Sequence, residues 1–480
     1  MIALVHLDRP NAADRGDRAL AQPAPVRIVH LGLGAFHRAH QAWYTWRATD
    51  GAEWGIAAFT GRGPAAADTL TAQDGLFTLV ERAPDEDRVE VVGSIVQAHD
   101  GARVDLLGEL LARPEVAIVT LTVTEAGYRL RATGEPDLDD PAVAADVDRL
   151  AAAAADGAPL AQAAPVTALG RLVAGLEARR RAGGAPIAIV PCDNIPGNAE
   201  FVRNGLVGLA RLVEPWLAAW IDAEVSFVGT SVDRITPRLE SAGLPAVKAA
   251  GWLDAAPVVT EPFRDWTLSG DFPAGRPQWE TAGARFVDDV EPWERRKLWL
   301  LNGAHTILAA AGALRGLDTV AEAIADDECR AAVGAFWAEA ASRLPAGIEH
   351  VDYRAALIER FANPRIVHRL AQIAADGSTK ARVRLAAVAE ESIDAGADAT
   401  GSLAALGIWV ASVLSGVRGP DSREADVVAA ASSADPVAAV LAIASERLAA
   451  DAGALEHVRA GAAAWTREPA LATSADPTTT

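Results

Sequence analysis

The chain has 480 residues, half of them hydrophobic, and a formal net charge of −20. This length exceeds what one hydrophobic core supports and predicts two domains. The acidic balance argues against nucleic-acid binding, which needs clustered lysines and arginines to neutralise phosphates. The two cysteines, Cys192 and Cys329, stand far apart, and they predict neither a disulfide framework nor a structural zinc site.

The first residues lack the apolar segment that signals secretion, and we find no uncharged apolar stretch of about 18 residues in the chain. We therefore expect a cytoplasmic protein that does not contact a membrane. Residues 1–24 are polar and predict an irregular surface segment.

The first strong pattern is the run VRIVHLGLG at residues 26–34, which predicts a buried strand that ends in a glycine turn. A helix should follow at about residues 36–48. The other strand candidates share short runs of apolar and β-branched residues, and they are residues 54–60, 89–96, 116–124, 187–191 and 225–232. Helical patterns lie between them at residues 141–155, which Asp140 can cap, and at residues 169–182. Strands that alternate with helices predict a parallel α/β sheet.

The pattern changes near residue 288, after which long helical patterns replace the strands. We therefore expect an α/β domain of the Rossmann type at residues 25–285 and a mainly α-helical domain at residues 286–468. The composition of residues 469–480 is typical of a disordered tail.

Gly32 and Gly34 stand between the first strand and its helix. Glycine permits a tight turn there and lets backbone N–H groups approach a pyrophosphate, although an ordinary strand-to-helix turn is the alternative. His37 replaces the third glycine of the usual GxGxxG pattern. No acid follows the second strand to bind the ribose of NAD, and Arg62 could meet a 2′-phosphate, so NAD is expected and NADP stays open. The predicted cofactor-binding residues are Gly32, Gly34, Ala35, Phe36 and Arg62.

The string GAFHRAHQ at residues 34–41 resembles the signature of the mannitol dehydrogenase family, the polyol-specific long-chain dehydrogenases that include the fructuronate reductases. Further matching segments follow in the family's order, and they are residues 121–128 (LTVTEAGY), 191–194 (PCDN), 232–237 (VDRITP), 261–266 (EPFRDW), 297–305 (KLWLLNGAH), 360–364 (RFANP) and 376–380 (DGSTK). The resemblance implies a metal-independent enzyme that moves a hydride between a nicotinamide cofactor and a secondary alcohol of an acyclic sugar derivative.

Such a reaction needs a base, hydrogen-bond donors for the developing alkoxide, and a hydride acceptor. Lys297, Asn302 and His305 share one predicted helix, where about 100° per residue places them within an arc of about 140°. Burial of a lysine in the apolar run KLWLL favours its neutral form, although a helical lysine is more often solvated. The resemblance makes Lys297 the catalytic base and His305 a substrate contact or an orienting residue. It makes Asn302 and Asn194 the groups that polarise the substrate oxygen.

The resemblance also makes Asp233 a residue of the substrate cleft, with an ion pair to Arg234 as the alternative. Arg264, in EPFRDW, and the segment PRIVHRLAQIA at residues 364–374 look more like the fructuronate reductases than the mannitol 2-dehydrogenases. An added arginine can hold a substrate carboxylate in a bidentate geometry, although surface ion pairing is its commoner role. The predicted substrate-binding residues are Asp233, Arg264, His368, Arg369 and Lys380.

We therefore expect D-mannonate and D-fructuronate as substrates, with D-mannitol and D-fructose or a related polyol as the alternative. One departure is that ARVR follows Lys380, where the family often has proline and then basic residues. His37 and His40 are spaced HxxH beside the glycine turn, but no compact Cys/His cluster is present, and we expect no metal. A catalytically silent nucleotide-binding protein is the alternative of another class. The family resemblance favours a monomer.

Overall fold

The computed structural model describes residues 4–184, 186–237 and 244–466, so the predicted tail at residues 469–480 lies outside the described residues. The chain divides into two units, residues 1–291 and 292–480. Among the described residues, none of the helices combines the length and the apolar character needed to cross a membrane.

All the β-strands of the described residues belong to the first unit. In chain order they are β1 (Val5–His6), β2 (Val26–Leu31), β3 (Gly55–Phe59), β4 (Phe77–Arg82), β5 (Asp87–Val92), β6 (Ile95–His99), β7 (Ile118–Leu121), β8 (Ile187–Pro191), β9 (Val225–Phe227), β10 (Gly229–Asp233), β11 (Trp252–Leu253), β12 (Val258–Thr260), β13 (Asp265–Ser269) and β14 (Arg285–Phe286). The α-helices that accompany them are α1 (Arg9–Asp14), α2 (Arg18–Ala21), α3 (Ala35–His37), α4 (Trp43–Arg47), α5 (Ala65–Thr71), α6 (Val104–Leu111), α7 (Glu125–Tyr128), α8 (Pro141–Ala155), α9 (Ala168–Arg181), α10 (Asn198–Val213), α11 (Pro215–Glu224) and α12 (Pro245–Ala249). A π-helical turn, Arg38–Ala42, joins α3 to α4.

Six parallel strands form the main sheet, in the order β6-β3-β2-β7-β8-β9. In β2, Ile28 packs into the core on one face of the sheet, and Val29 and Leu31 pack into the core on the other. Strands β3, β7 and β8 are buried along their whole length, as expected for a parallel sheet that is covered on both faces. The predicted Rossmann-type parallel sheet is confirmed, and Asp140 caps α8 as expected by accepting from the N–H groups of Ala142 and Val143.

Three expectations for the first unit were wrong in detail. The segment before residue 25 is not irregular, because β1 pairs with β11 and Leu7 and Leu20 are buried. The predicted strand at residues 89–96 is two strands, of which β5 pairs with β4 in a separate sheet and β6 joins the main sheet. The predicted strand at residues 225–232 likewise divides between β9 in the main sheet and β10, which pairs with β13.

The second unit has no named strand among its described residues. Its α-helices are α13 (Glu291–Arg296, which begins one residue before the boundary), α14 (Ala304–Leu314), α15 (Val320–Ala325), α16 (Asp327–Ser342), α17 (Val351–Phe361), α18 (Leu370–Ile373), α19 (Gly377–Ala381), α20 (Ala387–Asp394), α21 (Thr400–Leu414), α22 (Glu424–Ala431), α23 (Pro436–Ala444), α24 (Glu446–Ala450) and α25 (Ala452–Trp465). Helix α21 is apolar on all sides and is surrounded by α14, α16 and α25, as expected for a central core helix.

Two π-helical turns interrupt the helices of the second unit. The Lys297 turn (Lys297–Gly303) lies between α13 and α14, and the Arg384 turn (Arg382–Ala386) lies between α19 and α20. The two turns pack against each other. Such turns inside α-helices are rare and occur frequently at functional sites.

Candidate active site

The glycine turn after β2 has a backbone that only glycine accommodates. Gly32 has φ +112°, and a Cβ atom there would lie 2.5 Å from the carbonyl oxygen of Thr122. The hydroxyl of Thr122 donates to the carbonyl oxygen of Gly32 at 2.8 Å, and the N–H of Gly32 donates to the carbonyl oxygen of Phe59 at 2.9 Å. The turn is therefore fixed to both neighbouring strands, β3 and β7.

A cleft of about 820 Å³ opens at the carboxyl ends of β2, β3 and β7. Clefts at this edge of a parallel sheet are the usual ligand sites of the fold, and this volume falls within the range of cofactor pockets. Gly32 and Arg62 line the cleft, whereas Gly34 is the N-terminal cap of α3 and Ala35 and Phe36 lie within that helix. The missing Cβ at Gly32 and the size of the cleft fit a dinucleotide.

The end of β3 carries no acid. Thr60 follows the strand, is buried, and accepts from the N–H of Gly101 at 3.1 Å. Of the ionisable residues that line the cleft, Arg62, Arg129 and Arg171 are cations and Asp68 is the acid. The cleft is therefore suited to a phosphate-bearing ligand.

Three buried histidines lie in the first unit next to the glycine turn. The ring nitrogens of His30 are 2.8 Å and 3.1 Å from the hydroxyl oxygens of Thr120 and Thr122. Burial lowers the pKa of His30 to about 3. The ring of His37 stacks on that of His30 at 3.3 Å between centroids, and His40 contacts the carbonyl oxygen of Asp265 at 3.2 Å. Across the described part of the chain, no group of three or more His, Cys, Asp or Glu side chains could hold a metal ion.

Asn194 lies just beyond β8, in a segment whose neighbours form a buried hydrogen-bond network. The hydroxyl of Tyr128 donates to Asp193 at 2.7 Å, and burial raises the pKa of Asp193. Asn198, at the start of α10, donates to the carbonyl oxygen of Thr230 at 3.0 Å and accepts from the N–H of the same residue. The sequence reasoning missed these residues, although the polar string DN at a strand end was a signal.

Asp233 and Arg264 lie at the same end of the β10–β13 strand pair, since Asp233 is the last residue of β10 and Arg264 immediately precedes β13. Asp233 ends β10 and pairs in register with Asp265 of β13. Arg234 is buried and pairs with Glu81 at 3.1 Å, not with Asp233. Arg264 is 4.0 Å from the same Glu81, and its guanidinium lies over the ring of Trp43.

Lys297 and Asn302 are both half-buried and lie at the two ends of one π-helical step. Five residues on a regular α-helix span about 500°, which leaves two side chains about 140° apart. In a π-helix the hydrogen bond joins residues i and i+5, so residues five apart lie on adjacent turns. The regular α-helix assumed for the angular prediction was therefore wrong, and the π turn brings Asn302 closer to the face that carries Lys297.

His305 is buried in α14 and surrounded by rings and cations. Its ring centroid is 4.9 Å from those of Phe361 and His368. Burial holds the pKa of His305 well below its ordinary value, and His368, Arg360, Arg384 and Lys380 lower it further. Its Nε2 is buried without a hydrogen-bond partner in the described parts of the chain. His305 is therefore a neutral ring in a positively charged surrounding.

Lys380 lies near His305 but is held by the backbone. Its Nζ donates to the carbonyl oxygens of Ile373, at 2.9 Å, and Ala375. Burial lowers its pKa, as does Arg384. Arg369, in contrast, is exposed just before α18, where its charge acts on Glu322. The second unit therefore brings His368 and Lys380 to His305 and leaves Arg369 on the surface.

The sequence reasoning missed Arg384. It lies on the Arg384 turn, and its Nη1 donates to the carbonyl oxygen of Asn302 at 3.2 Å and to the hydroxyl of Thr306 at 3.1 Å. The side chain of Arg384 is therefore hydrogen-bonded to the same helical segment that carries Lys297 and His305. The basic string after Lys380 was the available signal, but it gave no indication of burial.

The two units match two consecutive family models. The model for the mannitol dehydrogenase Rossmann domain matches residues 26–281, and the model for the mannitol dehydrogenase C-terminal domain matches residues 289–453. The chain belongs to the mannitol dehydrogenase family. This finding confirms the predicted family, the Rossmann-type first domain and the helical second domain.

Relatives of the family act on more than one kind of substrate. The D-mannonate oxidoreductase of Escherichia coli (strain K12) is 38% identical over 374 residues, 75% of this chain and 74% of the relative. A mannitol 2-dehydrogenase of Cereibacter sphaeroides is 34% identical over 404 residues, 80% of each chain. The structure of the Pseudomonas fluorescens mannitol 2-dehydrogenase ternary complex with NAD and D-mannitol has a TM-score of 0.73 at 32% identity and covers 93% of this chain and 92% of that one. The chain is thus an oxidoreductase of the mannitol dehydrogenase family, whose members include enzymes named for a sugar acid and for a polyol.

Proposed function

We propose that this oxidoreductase moves a hydride between NAD and the C2 position of D-mannonate and D-fructuronate. The observation that carries the choice of a sugar acid is the positive surrounding of His305, where His368, Arg360, Lys380 and Arg384 all act on one buried ring. A carboxylate is attracted to such a surrounding, whereas an uncharged polyol gains little from it. The 38% identity to D-mannonate oxidoreductase agrees with this choice.

The proposed chemistry assigns a role to each side chain. When bound in the cleft of the first unit, the nicotinamide supplies the acceptor or donor of the hydride. Lys297 takes the proton from the substrate hydroxyl, and the amide groups of Asn302 and Asn194 donate to the oxygen as it becomes an alkoxide. His305 and Asp233 contact the substrate hydroxyls. Neutral amide donors suit this task because they stabilise the alkoxide without a metal ion.

A neutral substrate is the second candidate. The mannitol 2-dehydrogenase relative at 34% identity and the mannitol complex at 32% identity both support D-mannitol and D-fructose. NADP is the second candidate for the cofactor, because the end of β3 lacks an acid and Arg62 lines the cleft. A catalytically silent protein is disfavoured because Lys297, Asn302 and Asn194 are all present.

Parallel assays with NADH and either D-fructuronate or D-fructose test the proposal. We expect kcat/KM to favour D-fructuronate by about 100-fold or more, which corresponds to about 2.7 kcal/mol of differential transition-state binding. Equal or better turnover of D-fructose would replace the sugar acid with a polyol. The same pair of assays with NADPH decides the cofactor, and inactivity in all four assays would contradict both substrate candidates.

A further inference from the structure

Arg384 is a partly buried cation that has no anionic partner among the described residues. Other arginines of the second unit have one: Arg295 lies 3.7 Å from Glu391, and Arg296 lies 3.8 Å from Glu349. No carboxylate of the described residues lies within 4.0 Å of the Arg384 guanidinium. A guanidinium that gives up water without gaining a carboxylate is costly, and binding sites for anions are where such a cost is tolerated.

The hydrogen bonds of Arg384 engage only part of its guanidinium. Nη1 donates to the carbonyl oxygen of Asn302 at 3.2 Å and to the hydroxyl of Thr306 at 3.1 Å. Nε is buried and has no partner in the described parts of the chain. The edge formed by Nε and Nη2 therefore carries no hydrogen bond to any residue that the structure describes. Burial lowers the pKa of Arg384 to about 10, so the group stays charged at neutral pH.

The neighbours of Arg384 add positive charge and do not neutralise it. Arg384 and Lys380 each lower the pKa of His305, and Arg384 also lowers that of Lys380. The acids near Lys380, Asp376 and Asp421, act on that lysine, and burial is the cause of the shift at Arg384. An anionic group of a ligand would relieve this repulsion at Arg384.

We propose that Arg384 binds the carboxylate of the substrate and so determines the preference for sugar acids over neutral polyols. The inference rests on the proposed oxidoreductase function. It gives to Arg384 the role that the sequence suggested for Arg264 and Arg369. Arg264 already interacts with Glu81 and Trp43, and Arg369 is exposed beside Glu322. A planar guanidinium with a free edge can hold a carboxylate with two parallel hydrogen bonds.

Substitution of Arg384 tests the inference through a comparison of two substrates. For Arg384→Gln we expect kcat/KM with D-fructuronate and NADH to fall about 100-fold, mainly through KM, because a charged contact is lost. The value with D-fructose should change less than about threefold. Arg384→Lys should give an intermediate loss with D-fructuronate, since lysine keeps the positive charge but lacks the two parallel N–H donors of the guanidinium. Arg382→Gln is the matched control, because Arg382 is exposed on the same turn, and it should leave both values unchanged.

Equal losses with both substrates, or no loss with D-fructuronate, would overturn the inference; equal losses would make Arg384 a residue that positions the catalytic helix. If Arg384→Gln does not fold, the same comparison with Arg384→Lys decides. If the wild type turns over neither substrate, the proposed function fails separately. Calorimetric titration of D-mannonate then tests the inference on binding alone, and an affinity equal in the wild type and Arg384→Gln would contradict it.

Discussion

The two units contribute to the proposed reaction with different parts of the chain. In the first unit, the glycine turn is defined by backbone: Gly32 has a positive φ and lies against the carbonyl oxygen of Thr122. In the second unit, side chains project from two helical segments that contain π turns, and the groups that matter are Lys297, Asn302 and Arg384. In the proposed reaction the first unit thus offers a shaped surface for a ligand, and the second offers charge and the residue proposed as the base.

This difference predicts how each unit responds to substitution. A change at Gly32 must move the backbone of two strands, so it should affect folding and cofactor binding together. A change at Lys297 removes atoms from a half-buried side chain on an intact helix, so it should affect chemistry and leave the fold unchanged. If the Gly32 variant loses stability and the Lys297 variant loses only activity, this difference between the two units is supported. If both variants lose their fold, it is contradicted.

The largest expected effect is that of Lys297→Ala. Removal of the base should lower kcat by about 10²- to 10⁴-fold, because general-base catalysis contributes about that much. Binding of NADH, followed by quenching of tryptophan fluorescence, should stay within about threefold of the wild type. Lys248→Ala is the matched control, since Lys248 is exposed on α12 of the first unit. Retained turnover in Lys297→Ala would exclude Lys297 as the base.

A pair of glycine substitutions sharpens the same comparison. Gly32→Ala places a Cβ atom 2.5 Å from the carbonyl oxygen of Thr122 at φ +112°, and we expect a loss of about 3 kcal/mol in the free energy of unfolding. In Gly34→Ala the added Cβ atom would lie 3.5 Å from the carbonyl oxygen of Gly32, which is an ordinary contact, and the backbone of Gly34 is extended. It should fold normally, measured by urea titration, and weaken NADH binding if the pyrophosphate approaches this turn. Equal stability of the two variants would contradict the assigned strain at Gly32.

Local sequence pattern predicted strands of the main sheet where they are short apolar runs bounded by turns, as in β3 and β8. It failed where the outcome depends on distant contacts. Arg9, in the segment expected to be irregular, donates to the carbonyl oxygens of Leu20 and Gly93 and is buried with α1. No property of the first 24 residues alone indicates that partner, since Gly93 lies in another part of the chain.

For the site, the sequence motif supplied Lys297, Asn302 and His305, because the family resemblance fixes residue identity and order. It did not indicate the π turn, which has no pattern of its own and alters the angular spacing of those side chains. It also did not distinguish Arg384 from exposed Arg382 two residues earlier. Burial of one arginine and exposure of the other follow from the packing of the two π turns against each other, which only the folded chain defines.

The smallest predicted effect concerns the stability of the first unit at acid pH. Burial holds the pKa of His30 at about 3, against an ordinary value of 6.5. Below pH 6.5 the unfolded chain therefore binds a proton that the folded chain does not, so stability is full above that pH and is lost as pH falls toward 3. Between pH 7 and pH 5 this group alone should cost about 2 kcal/mol, at about 1.36 kcal/mol per pH unit below 6.5.

Urea titrations of the wild type, His30→Gln and His457→Gln at pH 7 and pH 5 measure that contribution. The wild type and His457→Gln should lose the same free energy of unfolding over this range, because His457 is exposed. His30→Gln should lose about 2 kcal/mol less, since its side chain does not titrate. An equal loss in all three proteins would show that His30 takes up its proton in the folded state. The stack on His37 and the contacts to Thr120 and Thr122 would then have to accommodate a charged ring beside the glycine turn.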